Sequence, residues 1–301
     1  MIEKFNFYDI YGYFLPGLAL IAVFWLPFGL VLHKWPSGDI ASAVLDVALA
    51  YFAGHLMLYV STNAIPSYDV QKSTASHSRY PSETVLDADS RALPKEAKGK
   101  IAVAVRMELE LEVGVDDSSG AFDGNRKAAF NLARQRLSLE KLQSYAEQFQ
   151  GMYSLARGLV IAFAAGSAYY SGWVLGAVRC RALLVLAATL GLLSLLILVN
   201  LAIAINREKD WVRKSKLEYR FACTWLLASL AAGWVAGFIC KVSVGQCAFL
   251  AFAAGIALVL SLRCYVQYRA FTVQFAVTVW QNFAAFVLRN PAGQQTQINS
   301  E

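Results

Sequence analysis

The 301-residue chain is poor in charge: only 16% of its residues are Asp, Glu, Lys or Arg, against about a quarter in a typical soluble domain. Hydrophobic residues make up 57% of the chain, and the mean hydropathy is +0.44. A soluble fold of this composition would expose large apolar patches, and a disordered chain needs far more polar residues. The composition therefore argues against disorder, a coiled coil or a cytosolic enzyme. It indicates a helical protein that crosses a membrane several times.

Residues that catalytic and metal sites need are scarce and scattered. The three His do not occur in H-E-x-x-H or another metal-binding spacing. The five Cys lie singly, with no C-x-x-C pair that would suggest zinc. The chain also has no Walker loop, no G-x-G-x-x-G and no G-x-S-x-G elbow. We therefore expect neither enzymatic activity nor a cofactor or metal.

Six segments between charged residues are long enough to cross a bilayer as helices, which takes about 20 mostly apolar residues. The predicted spans are 13–32, 41–60, 157–179, 181–207, 220–241 and 241–263. Only the second contains a charged residue well inside it, Asp46. The expected fold is an all-α polytopic membrane protein with about six transmembrane helices and a helical cytoplasmic insert between spans two and three.

The distribution of Lys and Arg sets the expected orientation. With the N-terminus inside, only four of the 27 basic residues fall in outer loops, and the loop at 206–221 places six on the inner side. This predicts a multi-pass protein of the inner membrane with both termini in the cytoplasm. The net charge of +6 would then meet anionic membrane lipid, and no direct nucleic-acid binding is expected.

Polarity divides the chain into five predicted regions. They are an N-terminal transmembrane hairpin (1–60), the cytoplasmic insert (61–152), a four-helix transmembrane region (153–264), an amphipathic C-terminal helix (265–290) and a disordered tail (291–301). Residues 265–288 carry a polar stripe, so this helix could lie along the inner interface or pack on the insert. A seventh span there, which would place the C-terminus outside, is the alternative.

The insert is nearly neutral, with 12 basic and 13 acidic residues. Its first third, 61–90, is predicted to be irregular, and Pro94 is predicted to open a helix that ends near Gly114. Residues 107–113 alternate as a strand would, but helix is preferred. Residues 116–120 form an acidic turn that lacks the pattern of a calcium loop.

A second helical pattern begins at Asn125 and includes an apolar stripe with no helix breaker before the third span. The stripe consists of Leu137, Leu142, Tyr145, Phe149 and Met152. This predicts one helix that starts in the cytoplasm and enters the membrane near Arg157. Phe149, Met152 and Arg157 are the candidate coupling residues, through which movement of the insert would reach the bilayer. Packing within the insert is the favoured single role of the stripe.

Three polar residues fall inside predicted spans. Asp46 is costly in a bilayer, so it is expected either to be a structural acid paired with Lys34 or Arg181, or to serve an ion path or an oligomer interface. His55 lies on nearly the opposite face of the same helix; an interfacial, hydrogen-bonded role is favoured over a ligand or proton relay. Asn200 is expected to join helices by hydrogen bonding.

Small residues mark the last two spans. Gly233 and Gly237 form a G-x-x-x-G pattern, and Ala251 and Gly255 repeat its spacing. Small residues allow helices to approach closely in a bilayer, and the pattern leaves packing within one chain and packing between chains of a homo-oligomer both open. A disulfide among Cys180, Cys240 and Cys247 could form on the outer side, although unpaired helix cysteines are favoured.

The beginning of the chain is distinctive. Residues 8–17 read Tyr-Asp-Ile-Tyr-Gly-Tyr-Phe-Leu-Pro-Gly, an aromatic belt that enters the membrane with Pro16 in the first turn of the span. This segment, together with residues 50–56, 149–158 and 268–271, resembles a diffuse group of uncharacterised bacterial multipass membrane proteins. Many of that group have four spans, whereas six are predicted here. Some lie in anti-phage defence operons and are thought to open or disrupt the inner membrane when a partner signals infection.

The resemblance implies an oligomeric, signal-gated pore or depolarising effector of anti-phage defence. Its sensor would be the insert, which would take a signal from a cytosolic protein or a small molecule. The alternatives are a non-conducting membrane anchor or scaffold for a cytosolic partner, and a small-solute transporter. An intramembrane enzyme is the least favoured.

Overall fold

A computed structural model describes residues 9–35, 39–65, 79–115, 121–142, 144–177, 188–189, 191, 212–240 and 242–289. Every regular element bounded in these ranges is helical, which confirms the all-α class. A π-helical turn, Ile10–Phe14, leads directly into the first of the α-helices. The α-helices are α1 (Leu15–Leu32), α2 (Ile40–Ala64), α3 (Pro81–Thr84), α4 (Lys95–Leu109), α5 (Asp123–Leu139), α6 (Ser144–Ala177), α7 (Val212–Ile239) and α8 (Val244–Arg289).

Within the described ranges, four helical stretches are long and apolar enough to cross a membrane, as expected of a membrane protein. They are Ile10–Leu32, Ser42–Thr62, Tyr145–Ala177 and Val244–Arg289. They overlap the first, second, third and sixth predicted spans. A shorter apolar helix, Thr224–Ile239, lies within the fifth. The fourth, 181–207, lies outside the described residues except for three positions.

The chain divides into two compact units, each built from separate parts of the sequence. The first unit comprises Met1–Pro66 and Gly151–Arg269, and the second comprises Ser67–Gln150 and Ala270–Glu301. Helices α6 and α8 each begin in one unit and end in the other.

Helix α6 is the central helix of the first unit. In its apolar window 83% of the residues are buried, against 22% in that of α2. Helix α1 packs along it through aromatic contacts, with ring centroids 4.6 Å apart for Phe24 and Tyr169 and 5.7 Å apart for Phe28 and Trp173. Helix α8 contacts it where the Ser261 hydroxyl donates to the Val160 carbonyl at 2.9 Å.

The second unit has a hydrophobic core to which α4, α5 and the end of α8 contribute. Its most buried members include Leu86, Ile101, Leu137, Trp280 and Phe283. The Trp280 indole N–H also donates to the Ser82 carbonyl at 2.9 Å, which joins residues 198 positions apart in the chain. Residues from the predicted insert and from the predicted C-terminal helix therefore form one core. Residues 265–289 continue α8 without a break.

Two helix boundaries in the second unit differ from the prediction. Helix α4 ends at Leu109, five residues before Gly114, because Glu110 adopts φ 54°, a left-handed conformation that stops a helix. Helix α5 ends at Leu139, and Lys141 (φ 56°) separates it from α6. The apolar stripe predicted on one helix is thus divided between two, although α6 does run on into the third candidate span. The turn at 116–120 and the tail at 291–301 lie outside the described residues.

Candidate functional site

Parts of the four segments that carry the resemblance meet one another in the first unit. An added Cβ at Gly17 would collide with the Ala50 carbonyl, and one at Gly54 with the Tyr13 carbonyl, so α2 and the beginning of α1 lie backbone to backbone. On α6, a Cβ at Gly158 would come within 2.8 Å of the Pro16 side chain. Glycine at these positions permits the close helix approach that stabilises helix pairs in membranes.

Arg157 of α6 ties this contact to two further helices. It is buried, with 8% of its surface exposed. Its guanidinium donates to the Thr62 hydroxyl of α2 at 2.9 Å and lies 5.8 Å from the centre of the Tyr268 ring on α8. We call Arg157, Thr62 and Tyr268 the Arg157 junction. Tyr153, one turn before Arg157, packs edge-on against the same Tyr268 ring at 6.3 Å.

In the Arg157 junction the Thr62 hydroxyl is fully hydrogen-bonded, whereas the Arg157 guanidinium is only partly hydrogen-bonded. The Thr62 hydroxyl donates to the Leu58 carbonyl at 2.7 Å, so its lone pair is oriented to accept from Arg157. The buried Nε of Arg157 has no acceptor within the described part of the chain, and neither does the buried hydroxyl of Ser154. A buried charged group that is only partly hydrogen-bonded costs free energy. The junction therefore holds a cation in an environment that does not fully stabilise it.

The predicted coupling residues all lie on α6 but have different neighbours. Arg157 belongs to the junction in the first unit. Phe149 is half-buried in the second unit, where its ring centroid lies 6.5 Å from that of Phe271 on α8. Met152 is half-buried on α6 between them in sequence.

The predicted intramembrane polar residues have different surroundings. Asp46 is half-buried in the first part of α2. The His55 ring stacks on Tyr13 at 4.1 Å and meets Tyr51 edge-on at 4.7 Å, so its close neighbours are aromatic rings at the α1–α2 contact. Asn200 and Arg181 lie outside the described residues.

The small residues of α7 pack within the chain. An added Cβ at Gly233 would collide with the Tyr169 carbonyl, and one at Gly237 with the Trp173 carbonyl, both on α6. Gly172 and Gly176 of α6 face the α7 backbone in the same way.

The small residues of α8 differ from each other. Ala251 is buried, whereas a Cβ at Gly255 would meet no atom within 4 Å. The thiols of Cys240 and Cys247 are free, and Cys180 is not among the described residues.

A buried ion network in the second unit was not predicted. Arg79 contacts Asp123 at 2.5 Å and Asp87 at 2.7 Å, and Arg126 contacts Asp87 at 2.7 Å. None of the four side chains is more than 7% exposed. Their charges balance, which is the condition under which ionic groups are tolerated in a core.

Backbone carbonyls complete this network. The Arg126 Nε donates to the Val113 carbonyl at 2.7 Å, and buried Lys98 donates to the Asp87 and Ser90 carbonyls at 2.5 and 2.8 Å. Burial lowers the pKa of Arg79, but the hydrogen bonds that Arg79 donates to the Asp123 and Asp87 carboxylates, together with their negative charges, outweigh it and raise the pKa above its ordinary value. Arg79 therefore stays charged at any working pH. The network ties Arg79 and Asp87, on either side of the short α3, to α5, and Lys98 ties α4 to the same segment.

Sequence spacing offered little sign of this network. Asp123 and Arg126 are three residues apart on one helix, but Arg79 and Asp87 lie in a segment with no regular pattern. Within the described ranges, no group of His, Cys, Asp and Glu could hold a metal ion.

Comparison of the sequence and structure with known proteins found no similar protein. No protein-family model matches the chain, and no significant match was found among curated proteins or among solved structures.

Proposed function

We propose that the protein is a signal-gated membrane effector: an oligomeric pore of the bacterial inner membrane that depolarises the cell during phage infection. The second unit would be the sensor, and α6 and α8 would carry its movement to the spans. The resemblance of residues 8–17, 50–56, 149–158 and 268–271 suggests the anti-phage setting. The observation that carries the gating proposal is that both helices join the two units without a linker.

Helix length supports this assignment. Helix α8 has 46 residues and is about 69 Å long at about 1.5 Å per residue, more than twice the ~30 Å hydrocarbon core. Helix α6, with 34 residues, is about 51 Å long. Each can cross the bilayer and still extend into the second unit. A passive anchor would not require two continuous helices between the units, whereas a gate needs elements that transmit movement.

The core of the second unit constrains how many times the chain crosses the membrane. Leu86 and Leu137 share this core with Trp280 and Phe283, so 79–146 and 276–287 must be on the same side of the membrane. The chain between them therefore crosses an even number of times. Helices α6 and α8 provide two candidate crossings. The shorter α7 and the predicted span at 181–207 would add a pair, which keeps the number even and gives six spans in all. The same parity argues against a seventh span at 265–288.

The basic residues favour the cytoplasm for this shared side, and two crossings by α1 and α2 then place the N-terminus there as well. In this topology the second unit would be available to a cytosolic protein or small-molecule signal. A homo-oligomer is part of the proposal because a single chain of six spans offers little room for a conducting path.

The test is to break the connections without removing either unit. Exposed Gln148 on α6 and exposed Gln267 on α8 would each be changed to Pro, with Gln148→Ala and Gln267→Ala as matched controls. Proline inside a helix removes a backbone hydrogen bond and costs about 3 kcal/mol or more. We expect the wild type and the Ala variants to depolarise cells in a potential-sensitive dye assay during infection. At equal membrane levels, the Pro variants should not.

Two results would contradict the proposal. If protection against phage persists while the potential never falls, the protein is a scaffold rather than a pore. If the Pro variants depolarise cells as fully as the Ala variants, α6 and α8 do not transmit the signal.

A further inference from the structure

The Arg157 junction contains two opposing effects on one side chain. The hydrogen bond to Thr62 and the contact with the Tyr268 ring keep the guanidinium in place. Burial of the charge, with Nε lacking an acceptor among the described residues, works against that placement. Any movement that admits water would relieve the cost of burial while it breaks the bond to Thr62.

We propose that the Arg157 junction is the latch of the gate: the buried charge of Arg157 favours opening, and the hydroxyl of Thr62 holds the junction closed. This inference rests on the proposed pore function and deepens it by naming the residues that set the closed-to-open equilibrium. The three members of the junction lie on α2, α6 and α8. The latch therefore acts directly on both helices that extend into the second unit.

The latch predicts effects of opposite sign for two substitutions at one contact. Thr62→Val removes the hydroxyl but keeps the shape, so the closed state loses a hydrogen bond to a charged group and opening becomes easier. Arg157→Met removes the buried charge and fills the space with an apolar side chain. The closed state therefore becomes more stable relative to the open state, and opening becomes harder. Arg157→Lys retains a buried charge and should open more readily than Arg157→Met.

The measurement is the membrane level of protein at which half of the cells are depolarised, obtained by titrating the inducer and quantifying membranes by immunoblot. Loss of a hydrogen bond to a charged group changes an equilibrium constant, here that between the closed and open states, by about tenfold. We therefore expect about a tenfold shift toward opening in Thr62→Val and a shift away from opening in Arg157→Met. In the double variant, Thr62→Val should add little, because the group that it latched is gone.

A purely structural role for Arg157 would give a different result. Both single variants would then move the threshold in the same direction, and Arg157→Lys would resemble Arg157→Met. Either outcome overturns the latch.

A second measurement separates failure of the latch from failure of the pore. If no variant depolarises cells at any level, the proposed pore is wrong, and the latch is then judged by pulsed electron paramagnetic resonance. Spin labels would be placed at exposed Phe52 on α2 and exposed Val266 on α8 in a cysteine-free full-length chain. The latch predicts a longer-distance population in Thr62→Val that disappears in the double variant with Arg157→Met. Identical distance distributions in all variants would overturn it.

Discussion

Replacing Trp280 with Ala should unfold the second unit although Trp280 lies at the far end of the chain. The indole is fully buried in the core that also contains Leu86 and Leu137, and its N–H donates a hydrogen bond to the Ser82 carbonyl. Truncating a buried aromatic side chain to Ala costs about 3–5 kcal/mol. The lost hydrogen bond adds about 1 kcal/mol. The sum, about 4–6 kcal/mol, approaches the whole stability of a small domain, which is about 5–15 kcal/mol.

Hydrogen–deuterium exchange on the detergent-solubilised protein would measure this loss. A decrease of 4 kcal/mol in the free energy of opening corresponds to about a thousandfold faster exchange. The increase should appear in peptides from 79–139, far from the substitution in sequence, and not in peptides from 15–32. Gln281→Ala, at the exposed neighbouring position, is the matched control. Trp280→Phe, which keeps a large ring but loses the hydrogen bond, should have an intermediate effect.

Unchanged exchange of 79–139 in Trp280→Ala would refute this reasoning. It would mean that the insert folds on its own and that the end of α8 merely rests on it. The argument for an even number of crossings would then lose its basis too, because it depends on a core shared by the two segments.

Three further predictions concern packing, charge and topology. Arg126→Met leaves the buried carboxylates with one cation fewer, so the free energy of unfolding of the second unit should fall by about 3–5 kcal/mol. An unchanged melting temperature would show that the network is not needed for folding. Gly233→Ala places a Cβ against the Tyr169 carbonyl and should cost about 1–3 kcal/mol. Gly255→Ala has open space in a helix interior, so it should not lower the melting temperature. For topology, single cysteines would replace exposed Ala88 and exposed Leu288, one at a time, in a cysteine-free chain. An impermeant thiol reagent should label both only from the cytoplasmic side. Labelling of the two positions from opposite sides would contradict the six-span topology.

The sequence determined the helical membrane class, because a span needs a long uncharged stretch and such stretches are visible in the chain. It also showed that small residues would allow close helix packing at Gly233 and Gly237. It could not choose their partner, since a G-x-x-x-G face fits any helix that offers a complementary backbone surface. Only the tertiary structure placed them against α6 of the same chain.

The two buried polar sites show the limit of sequence analysis most clearly. Arg157 stood out because it lies at the edge of an apolar span, but its contacts with Thr62 and Tyr268 join residues 95 or more positions apart. The network of Arg79, Asp87, Asp123 and Arg126 has the composition of a solvated surface and is nevertheless a core. Charge alone does not tell whether a side chain meets water or an opposite charge. Hydrophobicity and helical period are local properties that one segment expresses by itself, whereas ion pairing, shared cores and helix partners depend on which distant segments the fold brings together.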